Sequence, residues 1–519
     1  MASETPVFDD IAPKPGVSAG IEAGPSGPSP ARTAGWVVVG RAFGAAMSIA
    51  LVLLLTRILD KGDFGRLGLV LMLYETLEMF ALSGIPASLL FLIPTEPRSA
   101  ARSIAVTSAL ILSVIAAVVA LIVVIFAPVM AAALDDGNPV VTEMLRWMAL
   151  YVVLAFPAQV IPNYLLATSR PRGSAAFGFL IQFVRFFAVL IPATLGMHIE
   201  TIMLWLALSG IVPFLIFVTT VLWLDRQYPI GLRKKWITQQ FSYGGPLAVA
   251  SGLGKLNAYA DKYMVGVLMP MEALAVYNVA SRELPFVSIV PYGATTGLIP
   301  EMSRRFFDDK EGFLTLWRVL MRKVALLMYP VFVFFFVMAP DIITILYTDA
   351  YVEGTNVFRV YLCLIPFRLC LYGGVLRAMG DTIRVLTTSG LSIATNLLLN
   401  IPLYYWLGWV GPALATIVGQ LIAIVLLTHN AAHRLQKRIV HIFPWWPLAK
   451  TLLVASAASV VLWPIVIQDW PSGIKVLAGM SGYCVSYFVL GIVSGMITKS
   501  DLIFIRTFGR AFDPSGNTN

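Results

Sequence analysis

Glu75 and Glu78 are three positions apart in a stretch that is otherwise almost entirely apolar. On a helix they share one face. A charge inside a bilayer costs roughly 2.5–3.5 kcal/mol or more, so each one calls for a reason. Glu78 falls at the midplane of its expected span, placed to take up and release a proton. It is the first candidate for proton coupling, and Glu75 is the second. The plainer alternative is an acid paired with Arg185 or Arg41. Arg185, Lys255 and Arg368 lie roughly 16–18 Å from a span end, near the middle of a hydrocarbon core about 30 Å thick. They have no evident charge partner, and Gln182 and Asn257 add polarity beside the first two. Such a set suits a cavity for an anionic group. Arg41, roughly 9 Å into its span, can snorkel to the interface but joins the cationic set as its weakest member.

Four further charges form a natural group. Asp261 and Lys262 lie roughly 10 Å from one end of their span, and Arg282 and Glu283 roughly 14 Å down the next. The two spans make a hairpin, so Asp261–Arg282 and Lys262–Glu283 are expected as structural ion pairs. Gln159 with Asn163, and Asn396 with Asn400, repeat at helical spacing and predict hydrogen bonds between helices. Other apparent motifs fail. Gly252-Leu253-Gly254-Lys255 lacks the spacing of a phosphate-binding loop. His429 and His433 are four apart, but no carboxylate or thiol completes a metal site, and Arg434 and Lys437 crowd them. Cys363, Cys370 and Cys484 lie apart in apolar stretches and read as packing residues. No metal or cofactor is expected.

These residues must be positioned by membrane helices. Of 519 residues 58% are hydrophobic and 13% charged, against roughly 25% charged in a soluble domain. Apolar runs of about 20 residues recur along most of the chain. The reading is an all-α integral membrane protein of about fourteen transmembrane helices. They are expected at 35–58, 67–93, 103–127, 140–168, 174–196, 200–223, 243–268, 273–300, 317–339, 357–379, 383–406, 411–433, 447–468 and 474–497. Eight prolines fall inside spans (Pro86, Pro157, Pro192, Pro213, Pro246, Pro285, Pro330 and Pro366) and predict bends. Residues 1–34, rich in Pro and Gly, read as a disordered tail.

Connections alternate in charge. One set carries Arg98, Arg102, Arg170, Arg172, Arg233, Lys234, Lys235, Arg304, Arg305, Lys310, Arg377, Arg384, Arg434, Lys437 and Arg438. The other holds Asp135, Asp136, Glu200 and Glu272 and is nearly free of cations, with Arg57, Lys61 and Arg66 as the exception. The positive-inside rule puts the basic set and both termini in the cytoplasm. The net charge of +9 therefore reports orientation, and no nucleic-acid partner is expected.

Two weak internal echoes occur at nearly the same offset. Leu59-Asp-Lys-Gly-Asp-Phe-Gly is matched by Leu268-Met-Pro-Met-Glu-Ala-Leu, and Leu165-Leu-Ala-Thr-Ser-Arg-Pro-Arg by Leu376-Arg-Ala-Met-Gly-Asp-Thr-Ile. They predict two parallel six-helix lobes, a known transporter plan. The division is a tail at 1–34, an N-lobe at 35–224, a linker at 225–240 and a C-lobe at 241–434. A cytoplasmic loop at 435–446, two C-terminal helices within 447–498 and a cytoplasmic tail at 499–519 follow.

Three segments carry a family resemblance. Thr56-Arg-Ile-Leu-Asp-Lys-Gly-Asp-Phe-Gly, Asp261-Lys-Tyr-Met-Val-Gly-Val-Leu-Met-Pro-Met-Glu-Ala-Leu-Ala-Val-Tyr and Ile299-Pro-Glu-Met-Ser-Arg resemble motifs of Wzx-type polysaccharide flippases. These form the polysaccharide transporter family of the multidrug/oligosaccharidyl-lipid/polysaccharide exporter superfamily. Departures include Met269 where Gly is usual and Gly62 where Pro is usual. The resemblance implies alternating access and no enzymatic step. It also implies an undecaprenyl-pyrophosphate-linked oligosaccharide as cargo, for exopolysaccharide, capsule or O-antigen assembly. The setting implied is the bacterial inner membrane, with membrane lipids, a polysaccharide polymerase and its chain-length machinery as partners. A cation-coupled multidrug exporter of the same fold is the alternative, for which acids should outnumber bases in the cavity. A membrane glycosyltransferase or polymerase ranks third, because its larger outer loops are missing.

Overall fold

The computed structural model describes residues 30–498 except 83, 224, 283 and 380. Its regular elements are all helices. The first half runs α1 (Pro30–Ile58), α2 (Lys61–Leu82), α3 (Ile85–Thr95), α4 (Ala101–Leu134) and α5 (Pro139–Ala155). It continues through α6 (Val160–Ala167), α7 (Pro171–Thr194), α8 (Ile199–Ser209) and α9 (Ile211–Trp223). The second half has α10 (Lys234–Leu268), α11 (Met271–Ala280), α12 (Pro285–Asp308), α13 (Lys310–Val337) and α14 (Ala339–Tyr347). Then come α15 (Thr355–Leu362), α16 (Tyr372–Ala378), α17 (Thr382–Leu407) and α18 (Val410–Arg434). The chain closes with α19 (Trp445–Ala458), α20 (Trp463–Val466) and α21 (Ser472–Val493).

Among the described residues, 9 helical stretches are long and apolar enough to cross a membrane, or 10 with the bent pair α5–α6 taken as one span. Several expected spans are broken rather than continuous. The stretch 67–93 divides into α2 and α3, 273–300 into α11 and α12, and 357–379 into α15 and α16 with a tight turn at Ile365–Phe367. Proline marks these breaks: Pro86 and Pro285 stand in the first turns of α3 and α12, Pro157 at the bend after α5, and Pro366 in the tight turn. A residue without an N–H is tolerated in a first turn and disrupts an interior. Pro192, Pro246 and Pro330 instead sit within continuous helices.

Burial is arranged for lipid. On α4, Ala105, Ala109, Ala116, Ala120, Ala127 and Ala131 point inward, while Val114, Val118, Leu121, Ile125 and Val129 are more than half exposed. Small inward residues let α4 lie close against α5, and apolar outward residues meet acyl chains without penalty.

Helices α1–α9 pack mainly on one another, as do α12–α18, while α10 and α11 cross between the sets, α10 to α2, α3 and α4 and α11 to α2. Close glycine contacts tie the halves. A Cβ on Gly65 would lie 2.1 Å from the Met271 carbonyl oxygen, joining α2 to α11, and one on Gly84 would lie 1.9 Å from that of Gly244, joining the start of α3 to α10. Any side chain at either position would push the helices apart. The terminal helices α19 and α21 pack on α13 and α14. Lys450 Nζ donates to the Ser494 carbonyl at 2.7 Å, meeting the negative end of the α21 dipole.

The basic connections gather at one end of the bundle and are pinned there. Arg170 donates to both oxygens of Asp225, at 3.1 and 3.0 Å, and Tyr164 donates to the same carboxylate at 2.6 Å. Arg102 donates to the carbonyls of Val221 and Tyr228. In the second half Arg434 makes two bonds to Asp381, at 3.1 and 3.0 Å. At the opposite end Arg66 bridges Asp63 and Asp135, at 2.9 and 2.8 Å, and Arg57 donates to the Ile345 carbonyl at 2.6 Å. Two of the three cations that broke the charge pattern are therefore engaged in holding that end together.

Candidate functional site

A cavity of about 610 Å3 opens between the halves. Among the described residues its charged lining consists of Glu75 from α2, Lys255 and Lys262 from α10, Arg282 from the α11–α12 break and Arg368 from the α15–α16 break. Lys255, Tyr259 and Lys262 stand at i, i+4 and i+7 of α10, one helical face. Irregular backbone at membrane depth is tolerated where it lines a cavity, and both arginines ride on such backbone.

Lys255 was expected to stand without a partner, and here the structure differs. Its Nζ lies 2.6 Å from Glu75 Oε2 and 4.4 Å from the centre of the Tyr259 ring. Tyr259 donates its hydroxyl to the same Glu75 oxygen at 2.5 Å. The Lys262 ammonium lies 5.1 Å from the centre of the same ring. Arg368 donates to Gln420 Oε1 at 2.6 Å, and Arg282 to Ser48 Oγ at 2.9 Å.

Arg185 does not line this cavity. Its guanidinium lies inside the first half, over the rings of Tyr74 and Tyr151 at 5.5 and 5.7 Å. Glu78 lies nearby and accepts from Tyr74 Oη at 3.1 Å and from Gln159 Nε2 at 3.2 Å. Thus Glu75 and Glu78, one turn apart, serve different places: Glu75 faces the cavity, and Glu78 faces the interior of the first half.

The expected Asp261–Arg282 pair is not formed. Asp261 is fully buried and accepts on Oδ2 from Tyr277 at 2.8 Å and from Tyr361. Arg282 is drawn to Ser48 of α1 because it sits where the helix has ended and its side chain can reach the other half. The Arg41 side chain and Glu283 lie outside the described residues, as do residues 1–29 and 499–519. Among the polar pairs, Asn396 Nδ2 donates to Asn257 Oδ1 at 2.9 Å, joining α17 to α10, and Asn400 supports Asn396 at 2.9 Å.

Tyr259, Arg282 and Lys262 enter the cavity without having been assigned to it from sequence. The spacing of Lys255, Tyr259 and Lys262 along one helical face is the signal that was present. Nothing in the sequence marks the Glu75–Lys255 contact, which joins residues far apart along the chain.

The family model described as polysaccharide biosynthesis protein matches residues 54–355. No curated protein matches at the sequence level. Among solved structures, the lipid II flippase MurJ in an inward closed conformation superposes with a TM-score of 0.66 at 13% identity, over 88% of this chain and 98% of that one. An inward-facing multidrug resistance MATE family transporter of the MOP superfamily gives 0.59 at 12% identity, over 78% and 98%. A MOP superfamily transporter from Pyrococcus furiosus gives 0.53 at 11% identity, over 78% and 94%. The fold is thus that of the MOP superfamily transporters, and the match across more than half of the sequence places the chain in the polysaccharide biosynthesis protein family.

Proposed function

We propose that this protein is a flippase that moves an undecaprenyl-pyrophosphate-linked oligosaccharide across the bacterial inner membrane by alternating access, without an enzymatic step. The observation that carries the reading is the cavity's charge: among the described residues Lys255, Lys262, Arg282 and Arg368 face one carboxylate, Glu75. A pyrophosphate head is favoured there, and a cationic drug is repelled. A second cavity of about 550 Å3, walled by Leu326, Phe334, Phe335, Tyr487 and Phe488, has the apolar lining that a hydrocarbon chain needs. Leu284 borders both cavities.

In this reading the basic end faces the cytoplasm with both termini, and 35–224 and 241–434 move as lobes about the linker 225–240. Glu78 is the proton-coupling carboxyl: it stands apart from the cargo cavity and can change protonation without touching cargo. A polymerase and chain-length machinery would take the delivered units into exopolysaccharide, capsule or O-antigen.

In cells lacking the native gene, Lys255→Ala combined with Arg368→Ala is expected to lower polymer export about tenfold or more while the protein still inserts. Normal export from that double variant would overturn the cationic-cavity reading.

A further inference from the structure

Among the described residues, the cavity's one lining carboxylate, Glu75, is engaged by the cation best placed to hold cargo. Lys255 Nζ and Tyr259 Oη, one turn apart on α10, converge on the same oxygen of Glu75, at 2.6 and 2.5 Å. Two donors aimed at one anionic oxygen form an oxyanion site, and here a side chain of α2 fills it. Lys262 lies beyond the Tyr259 ring, with its Nζ 5.1 Å from the ring centre, and Arg282 and Arg368 line the same space.

We propose that Glu75 is an internal stand-in for the cargo's phosphate, and that cargo enters by displacing it from Lys255 and Tyr259. This rests on the anionic-cargo reading above. A phosphate oxygen accepts from the same two donors and offers further oxygens to the neighbouring cations, which a carboxylate at the end of its own tether does not. Displacement also removes an ion pair that ties α2 of the first half to α10. The empty carrier is held closed by Glu75, and loading releases that tie. Binding of cargo and freedom of the halves to move become one event, because the ligand favours the state in which the tie is broken.

A competitor built into the site reduces the apparent affinity in proportion to the fraction of time the donors are left free. The test is binding of farnesyl pyrophosphate to the purified full chain in nanodiscs. Glu75→Gln is expected to bind it about tenfold more tightly than wild type. Glu75→Asp, which keeps the charge but shortens the reach and leaves folding least disturbed, should tighten binding about threefold. Lys255→Gln should weaken it about tenfold. Unchanged or weaker binding in both Glu75 variants, with wild type still binding, would overturn the stand-in role and make the pair structural. Failure of wild type and variants alike to bind the probe would overturn the anionic-cargo reading itself, and the stand-in role with it.

Discussion

Each half of the molecule sets a charge against two tyrosines, and the charges are opposite. In the first half Arg185 lies over the ring faces of Tyr74 and Tyr151. In the second, Asp261 accepts from the hydroxyls of Tyr277 and Tyr361. Tyrosine serves both, since its face carries negative charge and its hydroxyl donates. The inversion recurs at the basic end. Arg170 holds Asp225 in one half, whereas Asp381 holds Arg434 in the other. The paired segments Leu165-Leu-Ala-Thr-Ser-Arg and Leu376-Arg-Ala-Met-Gly-Asp set Arg170 against Asp381. What the fold requires at each corner is a pair. Its polarity is free, and sequence echoes between the halves are correspondingly faint.

These tyrosine-held charges should give the largest contrast. Asp261→Ala leaves two tyrosine hydroxyls without their acceptor and is expected to lower stability by about 2–3 kcal/mol. Arg185→Met removes two cation–π contacts but keeps the rings packed, for about 1–2 kcal/mol. Thermal melting of the two variants in one detergent checks this, and an equal or reversed order would break the contrast. A smaller difference is expected at the clamps. Asp381 also accepts from the Arg384 backbone N–H at 3.2 Å as the N-cap of α17, and Asp225 also accepts from Tyr164, so Asp381→Ala and Asp225→Ala should destabilise to within about 1 kcal/mol of each other. Exchanging the partners, Arg170→Asp with Asp225→Arg, should recover most of the loss of either single change. A double variant no more stable than the singles would show that polarity does matter.

The smallest effect is in pH. The Arg170 hydrogen bonds hold the Asp225 carboxyl below its ordinary value of 3.8, outweighing its partial burial. At Asp381 burial acts upward, but the Arg434 hydrogen bonds prevail and the carboxyl is again lowered from 3.8. A folded value below the unfolded one stabilises the protein above the unfolded value, and that stability is lost as pH falls through the folded value. Both clamps should therefore hold through neutral pH and weaken below about pH 4. Melting of wild type should show this acid-side loss more steeply than Asp225→Ala; parallel pH profiles would remove the clamp's carboxylate from the account.

How much could be read from the sequence follows from what hydropathy measures. It locates apolar length, so each expected span meets a helix. It is blind to breaks, because an apolar break such as Ile365–Phe367 has the same hydropathy as a helix. It also misses amphipathic starts, so α10 begins at Lys234 rather than at 243. For Arg185, Lys255 and Arg368 the sequence gives a position along a span but not the direction across the bundle. That second coordinate separates Arg185, inside one half, from Lys255 and Arg368 in the cavity. The Asp261–Arg282 pair failed for a related reason, since adjacency in a hairpin says nothing about tyrosines arriving from other elements.

Movement of the lipid-linked cargo itself tests the central claim most directly. Purified protein in vesicles holding a fluorescent polyprenyl-pyrophosphate-linked oligosaccharide would be exposed to a membrane-impermeant quencher. Wild type should expose nearly all of the label, and Lys255→Ala with Arg368→Ala should leave the inner leaflet protected, as in protein-free vesicles. If wild type leaves the inner leaflet protected while driving a cationic dye across the same membrane, the flippase account is contradicted.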